Sequence, residues 1–168
     1  MNFNDNPWAV PIGPIITTTQ ADTSDSVGLE TVEIKGAEFP MTQNQIAAMI
    51  REKDNHSLKT TQDSRKVGWL VFTLHDNAEV IQIEHLCAYD NEWLNDVIDS
   101  MMKMLTTSPK ADDAVTIRTI WPEYGTDNHI FKALLGYGFA VTGLDRFAFR
   151  AYNADYDGIK LEKTFGRK

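Results

Sequence analysis

Glu84 and His85 stand side by side in the run Glu79-Val-Ile-Gln-Ile-Glu-His-Leu-Cys87. Either side chain can take a proton from an amine, directly or through a water, so the pair is a candidate catalytic base. Strand alternation would put His85 on one face with Ile81, Ile83 and Cys87, and Glu84 on the other with Val80, Gln82 and Leu86. The bland reading of each is a hydrogen-bonded sheet carboxylate and a half-buried imidazole. Cys87 as a nucleophile would need a base; His85, two residues away on the same face at about 7 Å, suits core packing better. His56, His75, His85 and His129 show no metal-ligand spacing and Cys87 has no second cysteine, so neither a metal centre nor an internal disulfide is expected.

The elements that must position these residues are legible from periodicity. Val67–Leu74 and Glu79–Cys87 read as two strong strands joined by His75-Asp-Asn-Ala78, a hairpin. Leu29-Glu-Thr-Val-Glu-Ile34 reads as an earlier strand. Thr42-Gln-Asn-Gln45 is a capping box that opens a helix to about Lys53, with Ile46, Met49 and Ile50 at helical spacing. Asn55–Lys66 reads as a polar loop with at most a weak strand. Trp93, Leu94, Val97, Ile98, Met101 and Leu105 make a wide apolar stripe on a helix with Asp90 or Asn91 as its cap, closing before Pro109. Val115–Ile120 is a β-rich run suited to a strand covered on both faces. Ile130, Phe131, Leu134 and Leu135 line a further helix ended by Gly136 or Gly138, before a terminal hairpin over Arg146–Arg150 and Asp157–Lys163. Strands interleaved with helices predict an α/β class with a mixed α+β sheet and helices on both faces.

The 168 residues, 42% apolar and 24% charged, suffice for one domain with a core of its own. Residues 1–28 differ in composition and read as an extended, Pro-rich arm preceding a domain over 29–168. Pro7, Pro11 and Pro14 punctuate Trp8, Val10, Ile12, Ile15 and Ile16, and Thr17–Ser26 is polar. Pro7, Trp8, Val10, Ile12 and Ile15 are the expected docking residues for a protein partner or a second copy through residues 6–16. The formal charge of −8, from 16 basic and 24 acidic residues, argues against nucleic acid as a partner. No apolar run reaches membrane-spanning length and no signal segment opens the chain, so a cytoplasmic protein is expected.

The order β, α, hairpin, α, β, α, hairpin over about 29–165 resembles the Gcn5-related N-acetyltransferase (GNAT) fold. Pro40-Met-Thr resembles the start of that family's first helix, Val67-Gly-Trp its third strand and Gly138-Phe139 its glycine-phenylalanine turn. The resemblance implies a central mixed sheet with a C-terminal hairpin. It also implies a splayed strand ending Leu86-Cys87-Ala88 whose free backbone pairs with the pantetheine arm of acyl-CoA. Asn91 and Asn128 would be further cofactor contacts. Residues 80–145 are also similar, more loosely, to GNAT-like internal or ejection-associated virion proteins of short-tailed bacteriophages.

Several of the residues the resemblance calls for are missing. The loop that should cradle pyrophosphate is Tyr89-Asp-Asn-Glu-Trp93, without glycine or a basic residue and with two carboxylates. Those carboxylates favour the empty helix start and repel phosphate by about 1 kcal/mol per pair at 4 Å in water. Leu134 stands where many relatives carry a tyrosine that protonates the departing thiolate. Tyr137 lies three residues on and about 300° round the helix. These departures favour a noncatalytic binding or structural protein, virion-associated in the bacteriophage reading, with no cofactor. The alternative is an acetyl-CoA-dependent N-acetyltransferase acting on an amine by direct transfer, with Glu84 or His85 as base.

Overall fold

The computed structural model describes residues 13–30, 41–107, 114–151 and 153–166. Among these residues seven strands form one sheet in the order β1-β2-β3-β4-β5-β7-β6. The strands are β1 (Ile16–Gln20), β2 (His56–Gln62), β3 (Arg65–His75), β4 (Val80–Ala88), β5 (Val115–Pro122), β6 (Ala140–Ala151) and β7 (Ala154–Phe165). Neighbours pair antiparallel except β4 and β5, which are parallel. Four α-helices flank it among the described residues: α1 (Ser26–Leu29), α2 (Gln43–Arg51), α3 (Leu94–Thr106) and α4 (His129–Tyr137).

Two apolar clusters sandwich the sheet. The larger joins Leu70, Ile83 and Ile117 on the strands to Ile98, Met101 and Met102 on α3 and to Ile130 and Leu134 on α4. The smaller joins Trp69, Val71 and Cys87 to Leu29 and Ile46, so α1 and α2 cover the opposite face. The mixed sheet with helices on both faces is therefore as the sequence patterning implied.

Local signals account for several boundaries. Thr42 Oγ1 accepts from Gln45 N at 3.3 Å, and Gln45 Oε1 accepts from Thr42 N at 2.9 Å, the reciprocal capping box that starts α2. Gly138, at φ +113°, ends α4, a left-handed conformation that glycine adopts without steric cost.

Three regions differ from the patterning. The stretch Thr17–Ser26, polar enough to read as arm, instead supplies β1 and a helical turn. Thr18 is buried, its hydroxyl bonded to Thr60 at 2.8 Å and to Ser100 on α3 at 2.7 Å. Threonine is β-branched, and its hydroxyl finds partners only once β2 and α3 are in place. Asn55–Lys66, read as loop, contains β2, which β3 holds along its whole length despite its polar composition. Leu29, expected to begin a strand, closes α1 and is buried; residues 31–34 lie outside the described residues.

Candidate acyl-donor site at the splay of β4 and β5

The site begins with a bulge. Val71 of β3 pairs with His85, but the next residue, Phe72, pairs with Ile83, which leaves Glu84 opposite nothing. An extra residue on one strand bends it and restarts the alternation of its side chains. Ile81, Ile83, Leu86 and Ala88 accordingly all face the larger cluster, whereas Cys87 joins Trp69 and Val71 on the α2 face. Glu84 and His85 both turn to that α2 face. Glu84 Oε1 accepts from Thr73 Oγ1 at 2.9 Å, and the His85 ring lies 6.2 Å from that of Trp69 with 21° between the planes. Strict alternation, which separated Glu84 from His85 and grouped His85 with Ile81 and Ile83, is corrected by the bulge. Cys87 is buried beneath α2, among core side chains.

The same bulge marks the end of the parallel ladder. β4 and β5 pair from Val80↔Thr116 to Ile83↔Thr119 and no further, although both strands continue. Beyond that point β5 is held by β7 alone, and β4 by β3 alone up to Gly68↔Ala88. The β5-facing backbone edge of Glu84–Ala88 is thus outside any ladder, and the two strands splay. Leu86, Cys87 and Ala88, the expected cofactor contacts, all lie on this edge.

Below the splay, α3 and α4 border a cleft of about 740 Å³. Asn128 is the N-cap of α4: its Oδ1 accepts from Ile130 N at 2.8 Å. It is 3% exposed, and its Nδ2 has no hydrogen-bond partner although Asn128 lines the cleft. A buried amide donor without a partner costs about 1–3 kcal/mol. His129 Nε2 donates to the Ala88 carbonyl at 2.7 Å, tying α4 to the last residue of β4.

Asn91 does a different job from the one expected. Helix α3 starts at Leu94 with Trp93 as its N-cap, rather than with Asp90 or Asn91. Asn91 Oδ1 accepts from Trp93 N at 2.8 Å and Asn91 O from Leu94 N at 3.2 Å, so this residue satisfies amides at the helix start from within the loop. Asp90 and Glu92 are exposed, and of the two only Asp90 lines the cleft.

Two residues of the cleft were not singled out in the sequence. Lys132 lies one turn along α4 from Asn128, with its amide bonded to the Asn128 carbonyl at 3.2 Å, and brings a cation to the cleft that the α3 loop lacks. His129 meets Ala88 across 41 residues of chain. No local pattern announces either; both depend on where α4 lands.

Leu134 is fully buried in the core and has no proton to give. Tyr137 lines the cleft and donates to Asp99 Oδ1 at 3.0 Å. Burial first, then the hydrogen bond and the charge of Asp99, push the phenol up to about 12. Asp99 is held below the usual carboxylate range, chiefly by Lys103 at 2.8 Å and also by Tyr137. Among the described residues no group of three His, Cys, Asp or Glu gathers to hold a metal ion, and no helix is long and apolar enough to cross a membrane. Pro7, Trp8, Val10 and Ile12 lie outside the described residues; Ile15 is 73% exposed just before the edge strand β1.

The arrangement of the seven-stranded sheet and its helices is similar to that of solved acetyltransferases. The chain is similar to ribosomal-protein-S18-alanine N-acetyltransferase from Escherichia coli at a TM-score of 0.68 and 13% identity, over 92% of this chain and 96% of that one. It is similar to RimL, a ribosomal L7/L12 alpha-N-protein acetyltransferase in complex with coenzyme A, at a TM-score of 0.69 and 9% identity, over 91% and 96%. A probable GNAT-family acetyltransferase from Chromobacterium violaceum matches at 0.68 and 13% identity, over 94% and 87%. No protein-family model and no curated protein matches the sequence.

The fold is that of the GNAT acetyltransferases. The expectation of no cofactor, drawn from the acidic α3 loop, is overturned by these neighbours, one of which holds coenzyme A.

Proposed function

We propose that the protein binds an acyl-CoA in the splay and transfers the acyl group to an amine. The observation that carries this reading is the end of the β4/β5 ladder at Ile83↔Thr119, together with a cleft lined by Asn128, whose buried Nδ2 has no partner. When bound, acyl-CoA supplies a thioester carbonyl as the electrophile. The β4 edge offers amides and carbonyls in the spacing of a strand, which suits the amide-bearing pantetheine arm. Asn128 Nδ2 supplies a neutral donor, and Lys132 a cation for phosphate.

Glu84 is the side chain best placed to receive the amine proton. It sits at the bulge where the splay starts, on the face opposite the α3 core, and is exposed. Thr73 donates to one of its oxygens, leaving the other for an amine or a water. His85 is turned against Trp69 and half-buried, so it takes the positioning part. The named activities of two neighbours concern the amino groups of ribosomal proteins; protein α-amines are therefore the first acceptors to test.

The test is thiol release from acetyl-CoA with a panel of short peptides bearing free α-amines, for the natural chain and for Glu84→Gln. The expected result is turnover that falls about 100-fold in the variant at unchanged acetyl-CoA affinity, the lower end of what a positioned base contributes. Turnover unaffected by the substitution would remove Glu84 from the mechanism; calorimetry showing no acetyl-CoA binding at millimolar concentration would sink the donor site itself.

A second reading is favoured by one observation, the full burial of Leu134 where the resemblance puts a proton-donating tyrosine. In it the fold binds an acyl donor without transferring the group and serves as a binding or structural module, as in the virion-protein resemblance. Attachment to a partner or second copy would then run through residues 6–16. Ile15, the described apolar residue of that segment just before edge strand β1, is exposed, which suits contact with a partner.

A further inference from the structure

We propose that the cleft recognises its acyl donor as an acyl-4′-phosphopantetheine, through the pantetheine arm and a single phosphate at Lys132, and that the nucleotide half of coenzyme A adds no affinity. This inference rests on the donor-site reading above and deepens it.

The polar groups of the cleft divide into one part that suits pantetheine and another too poor in positive charge for a run of phosphates. For pantetheine there are the β4 edge beyond the end of the ladder with β5, whose Ala88 carbonyl is taken by His129, and Asn128, a residue 3% exposed whose Nδ2 has no partner among the described residues. For phosphate there is one ammonium, Lys132, which has no ion-pair partner among the described residues and is the only lysine or arginine lining the cleft among them. Lys103, the nearest basic residue on α3, is engaged by Asp99 at 2.8 Å.

The usual alternative to cations, a set of free amides at a helix start, is curtailed here. Trp93 N is taken by the Asn91 side chain and Leu94 N by the Asn91 carbonyl. Glycine, which would let a diphosphate approach the backbone closely, is absent from Tyr89–Trp93. The remaining charged groups on the rim are carboxylates, Asp90 beside α3 and Asp127 beside α4. A second phosphate of a diphosphate, and the further phosphate of the nucleotide, would meet these like charges with no further lysine or arginine of the cleft lining, among the described residues, to offset them. One phosphate and an amide-bearing arm are what the side chains can satisfy.

The experiment is calorimetric titration of the full chain with pantetheine, 4′-phosphopantetheine, dephospho-coenzyme A and coenzyme A, repeated for Lys132→Gln. Lys132 is exposed, so the variant should keep the melting temperature of the natural chain. The three phosphorylated compounds should bind within about threefold of one another. Pantetheine should bind about tenfold more weakly, the size of one charge-assisted contact at a partly exposed site. Lys132→Gln should erase that tenfold gap and leave pantetheine binding unchanged. Coenzyme A binding more than about tenfold tighter than 4′-phosphopantetheine would overturn the inference, because the nucleotide would then be read. A Lys132→Gln effect of equal size on pantetheine would also overturn it. If none of the four binds, the donor-site reading fails along with it; if coenzyme A alone binds, that reading stands and only this inference falls.

Discussion

Replacing Asn128 by serine separates the two tasks of one side chain. Its Oδ1 caps α4 by accepting from Ile130 N at 2.8 Å, while its Nδ2 is buried with no partner. Serine is as good an N-cap as asparagine to within a few tenths of a kcal/mol, so the cap survives. The substitution also removes an unsatisfied buried donor, a group that costs about 1–3 kcal/mol, at the expense of a small void in the cleft wall. The two changes oppose each other, and the folded chain should keep its stability to within about 1 kcal/mol, or about 2–4 °C in melting temperature for a chain of this size. Ligand binding has no such compensation. The donor is lost and the ligand acceptor is left facing a hole, together about 2 kcal/mol, or roughly 30-fold in affinity. Asn128→Ala is the contrast: it loses the cap as well and should cost a further 1–2 kcal/mol or about that of stability. Thermal melts of the free variants and calorimetry with coenzyme A read the two effects separately. Coenzyme A affinity for Asn128→Ser within twofold of the natural chain would show that Nδ2 does not meet the ligand, and the assignment of the cleft would have to be abandoned.

Two further outcomes test the frame around the site. Asp25 is buried, with one carboxylate oxygen 2.6 Å from Lys59 Nζ and 3.5 Å from Lys66 Nζ, and the other accepting from Asp22 N at 2.9 Å. Burial, the largest single influence, raises its pKa, but the bonds to Lys59 and Asp22 and the charges of the two lysines together carry it below the ordinary value. A carboxylate depressed in the folded state stabilises it fully above its unfolded pKa, and this stabilisation is lost as pH falls through the folded value. Asp25→Asn should therefore cost about 1–3 kcal/mol at pH 7, with the gap to the natural chain closing below about pH 4; a gap unchanged from pH 7 to pH 3 in urea melts would show that the charge does not matter. Deleting residues 1–12, which leaves β1 intact, should abolish any self-association seen by sedimentation while shifting the melting temperature by less than about 2 °C. A large loss of stability would show that the arm packs on its own domain.

The sequence alone determined the features whose causes are local. Thr42 and Gln45 reach each other's backbone within one helical turn, so the capping box was legible, as was the stop at Gly138, where a left-handed residue is needed. The apolar stripe on α3 and the β-rich run of β5 declared the elements, and their order declared the fold class. Elements held by distant partners were less legible. β2 and β1 are polar strands that exist because β3 and α3 supply the hydrogen bonds and the buried surface, and composition cannot announce such partners.

The site belongs to the second category. The bulge at Glu84 exists because β3 pairs with Ile83 and His85 and skips the residue between them. It moves Glu84 and His85 to one face and ends the ladder with β5, neither of which alternation within β4 can express. The lining of the cleft was illegible for the same reason: the α3 loop shows only its carboxylates, whereas Asn128, His129 and Lys132 line the cleft from the start of another helix. Backbone propensities and caps act over a few residues and can be read along the chain. A binding site is made where segments tens of residues apart converge, and only the tertiary structure decides which side chains meet there.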